Sequence, residues 1–368
     1  FIGSNFVKHM LTSHSNAKLI IFDALTYAGN LGTLKDELKD PRVVFVKGDI
    51  CSASDAEKVF EKHQIDYVVN FAAESHVDRS IENPQLFLQV NILGTQNLLD
   101  TAKKFWTEGK DENNYPIWRK GVKFLQVSTD EVYGSLGDEG YFSETTPLDP
   151  RSPYSAAKTG GDLIAKAYGE TYKMPINITR CSNNYGPFHF PEKLIPLIIK
   201  NILEGKNLPV YGDGSNVRDW LYVEDHCKAI DIVLHKGRID EVYNIGGHNE
   251  KTNIDIVKLV IKTIHDIMEK QPEYRNTLKK KIVDNNGTID ISWINNDLIT
   301  FVKDRQGHDK RYAIDPNKIS TELGWLPETK FADGIVKTIY WFLDNQDWVN
   351  DVTSGDYMKY YEQMYSNR

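Results

Sequence analysis

Val122-Lys123-Phe124-Leu125-Gln126-Val127 is a short apolar run closed by two hydroxyls, Ser128-Thr129. The next regular pattern, Tyr154–Tyr172, carries apolar residues at helical spacing and leads into a second β-branched run, Ile176–Arg180. Strand, helix and strand in that order form a crossover unit, which is right-handed and leaves its strands parallel. Working backward, the runs Lys18–Phe22, Val43–Lys47 and Tyr67–Phe71 alternate with the helical patterns Asp55–His63 and Pro84–Thr107. Repetition of the unit predicts an α/β fold, a Rossmann-type doubly wound parallel sheet covered by helices on both faces. In such sheets ligands lie beyond the carboxyl ends of the strands.

After residue 186 the pattern loosens. Pro187, Pro191, Pro196 and Pro209 punctuate short helices and loops, and Asn244-Ile245-Gly246-Gly247 breaks another strand. The expected division is a dinucleotide-binding part over 1–185 and a smaller mixed α/β part over 186–368, some of whose segments return to the sheet. Segment 284–296 is polar and turn-rich and reads as an exposed loop. The run Lys279-Lys280-Lys281 beside it reads as a solvated face.

Bulk properties narrow the function. Lys+Arg 44 against Asp+Glu 52 leaves a net charge of −8, so no general field attracts nucleic acid or an anionic membrane. Cys51, Cys181 and Cys227 are odd in number and widely spaced, which argues against a disulfide framework and fits a reducing, cytoplasmic compartment. The ten histidines form no HxxxH or HxH pair, so no metal is expected. No apolar run approaches the ~20 residues of a membrane span.

Phe1-Ile2-Gly3-Ser4 reads as the tail of a Gly-rich turn entering a helix over Asn5–Thr12, with the first strand and the early glycines expected before it. Asp23 closes the strand run 20 residues after Gly3, where a carboxylate accepts from ribose hydroxyls and repels a 2′-phosphate, which favours NAD over NADP. A plain strand-ending Asp reads the same way. Asp49-Ile50 closes the next strand and is placed to meet adenine, while Phe71-Ala72-Ala73-Glu74-Ser75 closes the one after with small residues against which a flat cofactor can lie.

Tyr154 and Lys158 are four apart on a helix and share a face, so an ammonium there can stabilise the phenolate and make Tyr154 a base. The spacing alone is common by chance. Its weight comes from the preceding strand, which ends in Ser128-Thr129, where a hydroxyl can hold a substrate oxygen beside the phenol. Asp130-Glu131 follow at once, and two adjacent carboxyls at a buried sheet end repel, so one is expected to keep its proton at neutral pH.

Gly3, Asp23, Ser128-Thr129 and Tyr154-x-x-x-Lys158 resemble the extended short-chain dehydrogenase/reductase superfamily. Within it, Ala72 to Ser80, Ser128 to Gly134, Cys181 to Pro187, Arg218 to His226 and Tyr243 to Glu250 resemble the dTDP-glucose 4,6-dehydratases, and the likeness runs essentially end to end. The resemblance implies Thr129, Asp130, Glu131, Tyr154 and Lys158 as catalytic residues. It implies NAD held by Phe1, Ile2, Asp23, Ala24, Leu25, Thr26, Asp49, Ile50, Phe71, Ala72, Ala73, Ser75, Val90, Ser128, Tyr154, Lys158 and Asn184.

It further implies sugar contacts from Ser75, Thr129 and Asn183, and nucleotide contacts from Lys193, Leu194, Pro209, Tyr211, Arg218, Asn253, Arg305, His308 and Tyr357. Helices Pro84–Thr107 and Tyr154–Tyr172 are expected to pair with a second subunit in a four-helix homodimer interface. Gln306 stands where the family usually has proline, and 284–296 looks like an insertion; both are expected near the nucleotide, leaving thymine or uracil open. The alternatives are a UDP-glucose 4,6-dehydratase, a sugar-nucleotide 4-epimerase, which by resemblance has small residues in place of Asp130-Glu131, and a non-catalytic NAD-binding regulator.

Overall fold

The structure is a computed structural model, and it describes residues 1–354. Four parallel strands form the central sheet: β3 (Tyr67–Asn70), β4 (Lys123–Thr129), β5 (Ile176–Cys181) and β9 (Val242–Ile245), in the spatial order β9-β5-β4-β3. Register is set by the pairs Tyr67↔Lys123, Phe124↔Ile176 and Val242↔Ile178. Strands β1 (Leu19–Asp23) and β2 (Val43–Lys47) form a separate parallel pair with Leu19 opposite Val43. Among the described residues no strand bridges β1 and β3, and Ile20, Ile21, Val68 and Val69 line the cavity between them.

Helices cover both faces, because the strands are apolar on both sides. On one face α1 (Ile2–Ser13) and α6 (Val223–Lys236) bury Phe6, Met10, Ile230 and Val233 against Leu125 and Val127. On the other, α2 (Ala53–Lys62) and α3 (Thr95–Trp106) bury Ala56, Leu99 and Trp106 against Phe124 and Ile176. The expected helix over 84–107 is interrupted by a π-helical turn, Gln89–Gly94. Helix α4 (Pro153–Tyr172) lies against that turn. Its glycines permit the approach: a Cβ on Gly161 would stand 2.6 Å from the Asn91 carbonyl oxygen.

The remainder forms a second core around α5 (Leu194–Glu204), α7 (Asn253–Lys270) and α8 (Phe331–Asp344), where Ile198, Ile202, Val260, Ile264 and Ile339 are fully buried. These helices are longer than the proline punctuation suggested, since Pro196 falls in the first turn of α5, where a missing N–H costs nothing. Short strands complete this part: β6 (Asn183–Tyr185), β7 (Leu208–Tyr211), β8 (Val217–Tyr222), β10 (Glu250–Thr252) and β11 (Ile299–Val302). Strand β9 and α6 return to the central sheet and its helical cover.

Segment 284–296 is not simply an exposed loop. It carries a small hairpin, Ile282–Val283 with Ile289–Asp290, and anchors itself by burying Ile291 and Ile294 in the second core. The hairpin Thr107–Lys110 with Pro116–Trp118 was not foreseen either. Gly161→Ala, which forces a methyl onto the Asn91 backbone, is expected to destabilise the chain by about 1–3 kcal/mol, read as a lower urea midpoint at unchanged slope.

Candidate active site

The carboxyl ends of β1, β3 and β4 open into one cavity of about 1680 Å³. Every residue anticipated from the sequence lines it except Tyr357, which lies outside the described residues. Strand β4 delivers Thr129 to its rim. The Thr129 hydroxyl then accepts from the Glu131 amide at 3.3 Å and so caps the 3₁₀ turn Asp130–Tyr133. That turn carries both acids into the cavity wall.

Asp130 is 1% exposed, its Oδ1 accepts from the Thr129 hydroxyl at 3.2 Å, and its Oδ2 has no hydrogen-bond partner among the described residues. Burial first, then the neighbouring charges of Glu131 and Asp219, push its carboxyl well above the carboxylate range. Glu131 is raised too, by burial, but Arg218, Arg305 and Lys193 pull it back. The pair is thus polarised as the sequence led one to expect, with Asp130 the better proton holder.

Helix α4 positions the other half. A capping box between Ser152 and Ser155, with Pro153 in the first turn, starts the helix so that Tyr154 and Lys158 both point into the protein. Tyr154 faces Thr129, whose hydroxyl favours the phenolate. Lys158 does not lower the phenol here: its ammonium donates to the Val127 carbonyl oxygen at 2.8 Å. Burial and then the Glu131 charge instead hold the phenol well above its ordinary value, so the expected near-neutral tyrosine differs from what is found. Lys158 itself is lowered by burial, against the pull of Asp162 one turn further on. Asp162 pairs with Arg180 at 3.0 Å, and Arg180 donates to Tyr133, so a buried ionic network underlies the helix.

At the cofactor end, Asp23 is exposed at the tip of β1 and accepts from the Leu25 amide at 2.6 Å, with Leu25 in the left-handed region at φ 53°. The first turn of α1 has no side-chain cap, which leaves free N–H groups suited to an anion. Asn184 is fixed by donating to the Ser182 carbonyl oxygen at 2.9 Å and by a 2.8 Å contact to His226. These features fit a dinucleotide.

On the opposite wall, Lys193 donates to the Ser75 carbonyl oxygen at 2.7 Å. Arg218 donates to the Asp309 carbonyl oxygen at 2.9 Å and lies over the Tyr312 ring. Arg305 is held by both oxygens of Asp78, at 2.7 and 3.2 Å, and Tyr211 donates to the same carboxylate at 3.0 Å. His308 sits edge-on to Tyr211 and contacts Asp304 at 2.7 Å. Sequence reasoning missed Asp78 as the partner of Arg305, although it lies in the quoted 72–80 motif. It also missed Tyr27, Glu192 and Arg79, where Tyr27 donates to Glu192 at 2.9 Å and stacks on Arg79. Gln306 stands between Arg305 and Gly307, which line the cavity, while no residue of 284–296 lines it.

A tyrosine and a lysine one helical turn apart, beside a threonine at the carboxyl edge of a parallel sheet, define an extended short-chain dehydrogenase/reductase. The model of the family described as GDP-mannose 4,6 dehydratase matches residues 1–338. A Shigella flexneri dTDP-glucose 4,6-dehydratase is 46% identical over all of this chain and 97% of its own. The crystal structure of the Bacillus anthracis dTDP-glucose 4,6-dehydratase in complex with NAD is 45% identical, with a TM-score of 0.78 over 96% of each chain. That of the Streptomyces venezuelae enzyme, also with NAD bound, is 41% identical, with a TM-score of 0.80 over 96% of this chain and 97% of its own. The chain belongs to the dTDP-glucose 4,6-dehydratases.

The buried acid has a consequence for stability. A carboxyl whose folded pKa is raised contributes most when protonated, below the unfolded value of about 3.9, and that contribution is lost as pH rises through the folded value. Asp130→Asn, which cannot ionise, is therefore expected to melt higher than the parent at neutral pH and to converge with it near pH ~4. Scanning calorimetry across that range checks the sign.

Proposed function

We propose that the chain catalyses the NAD-dependent 4,6-dehydration of dTDP-glucose to its 4-keto-6-deoxy sugar nucleotide. The single observation that carries this is the Asp130-Glu131 pair lining the same cavity as Thr129, Tyr154 and Lys158. Support also comes from the full-length relatives of that name. NAD, when bound against Asp23, Ala72, Ala73 and the start of α1, supplies acceptance of electrons from C4 and their return at C6.

The chain's own residues manage the protons. Tyr154 takes the C4 hydroxyl proton with Thr129 in the hydrogen bond, which requires its phenol to come down from the value burial imposes. Lys158 and the positive charge of the nicotinamide are the groups suited to lowering it. Once C4 is a ketone, the C5 proton is acidic and Glu131 removes it. Asp130 then protonates the departing C6 hydroxyl, since elimination needs an acid beside a base, and as hydride returns to C6 the proton held by Glu131 goes back to C5. Arg218, Arg305 and Lys193 meet the diphosphate, a guanidinium fork matching phosphate oxygens. Tyr211, Pro209, Leu194, Asn253 and His308 enclose the nucleoside, and Ser75 and Asn183 the sugar.

The chain works as a homodimer in the cytoplasm, two halves of this reading with separate supports. Leu88, Leu93 and Leu163 are exposed apolar residues on the helices expected to pair, Leu93 being 58% exposed. All three cysteines are free. Among the described residues no helix is long and apolar enough to cross a membrane.

Incubation with dTDP-glucose and with UDP-glucose, followed by mass spectrometry, tests the reaction. A product lighter by one water, formed faster from dTDP-glucose, is expected; an unchanged mass indicates epimerisation instead. Glu131→Gln is expected to bind NAD as before and to lose about 100- to 10,000-fold in turnover. Parental turnover in that variant removes Glu131 from its role. Replacing Leu93 and Leu163 together with lysine is expected to halve the sedimentation mass.

A further inference from the structure

Far from the cavity's reactive rim, three histidines converge on one carboxylate. His9 and His14 come from the second half and the end of α1, and Asp231 and His235 stand one turn apart on α6. His9 Nε2 lies 2.8 Å from Asp231 Oδ2, His14 Nε2 lies 2.9 Å from both carboxylate oxygens, and His235 Nδ1 lies 2.7 Å from Oδ1. The His14 and His235 rings stack at 4.8 Å. The donor atoms of His14, Asp231 and His235 all lie within 4.8 Å of one another. The carboxylate is 16% exposed, and His14 and His235 are about twice that.

Two imidazole nitrogens and one carboxylate brought this close are a familiar donor set for Zn²⁺ and its first-row neighbours. Calcium and magnesium, which want oxygen donors, are unsuited. Ligand bonds of roughly 2.0–2.1 Å put tetrahedral donors about 3.3 Å apart, so opening the present contacts takes small side-chain movements. His9 Nε2 meets the Asp231 carboxylate at 2.8 Å, an outer partner of the kind that orients a ligand.

We propose that His14, Asp231 and His235 bind one divalent transition-metal ion of the Zn²⁺ type, which clasps the end of α1 to α6. The site is structural. It lies at the opposite end of α1 from the turn that faces the cofactor pocket, about 18 Å away along a helix rising 1.5 Å per residue. Metal therefore steadies the helix without entering the reaction.

The test uses the untagged full chain, stripped with a chelator and titrated with Zn²⁺ by calorimetry and with Co²⁺ by visible absorption. One ion per chain, intense Co²⁺ ligand-field bands and a raised melting temperature are expected, with turnover unchanged. His14→Gln and His235→Gln are each expected to weaken binding by more than the roughly 10- to 100-fold that loss of an outer-shell partner costs, again with parental turnover. Should either variant fail to fold by circular dichroism, Asp231→Asn serves in its place. Absence of binding in the folded parent, or undiminished bands in the folded variants, overturns the proposal.

Discussion

The active site depends on keeping two adjacent carboxyls out of water. Asp130 and Glu131 follow a strand directly, and the Thr129 hydroxyl turns the backbone so that neither can swing out to solvent. Like charges held this close do not share ionisation equally, and burial magnifies the difference. What separates their roles is the surrounding charge: Arg218 lowers both carboxyls, Arg305 and Lys193 add to it at Glu131, and Asp219 works against ionisation of Asp130. Those cations come from the second half of the chain. The division into acid and base therefore exists only once that half has closed over the sheet.

The same economy governs the phosphate side. A buried arginine without a counterion is costly, so Arg305 rests on Asp78 and Arg218 on backbone carbonyl oxygens. In the proposed reading, these are the cations that a diphosphate would meet. The buried Asp162–Arg180–Tyr133 network does comparable work beneath α4, fixing the helix that carries Tyr154 and Lys158. Catalytic geometry here is held by ionic contacts between segments distant in the chain, with the apolar cores supplying the bulk of the packing.

Helix α1 links the two themes. Its uncapped first turn faces the cofactor end of the cavity, and its far end is gathered with α6 around Asp231. A helix tethered at the end remote from chemistry can present its amide groups in a constant position without placing any side chain in the reaction.

Much of this was legible in the sequence because its signals are local. Alternating apolar runs mark strands, helical spacing marks α2 to α4, and the motif residues at strand ends all reach one cavity, Tyr154 and Lys158 among them. What stayed hidden depends on where the chain returns. The lysine's choice of the Val127 carbonyl oxygen, the pairing of Arg305 with Asp78 across 227 residues and the meeting of His9 and Asp231 across 222 have no periodic signature. Likewise, 284–296 reads as polar until a second core exists to receive Ile291 and Ile294. Periodicity specifies which side of an element is apolar, and it thereby determines the fold class and the strand ends that carry chemistry. The partner of each buried charge, and hence the protonation state of each acid and base, is decided by tertiary structure, because the dielectric and the neighbouring charges arise only after distant segments are packed together.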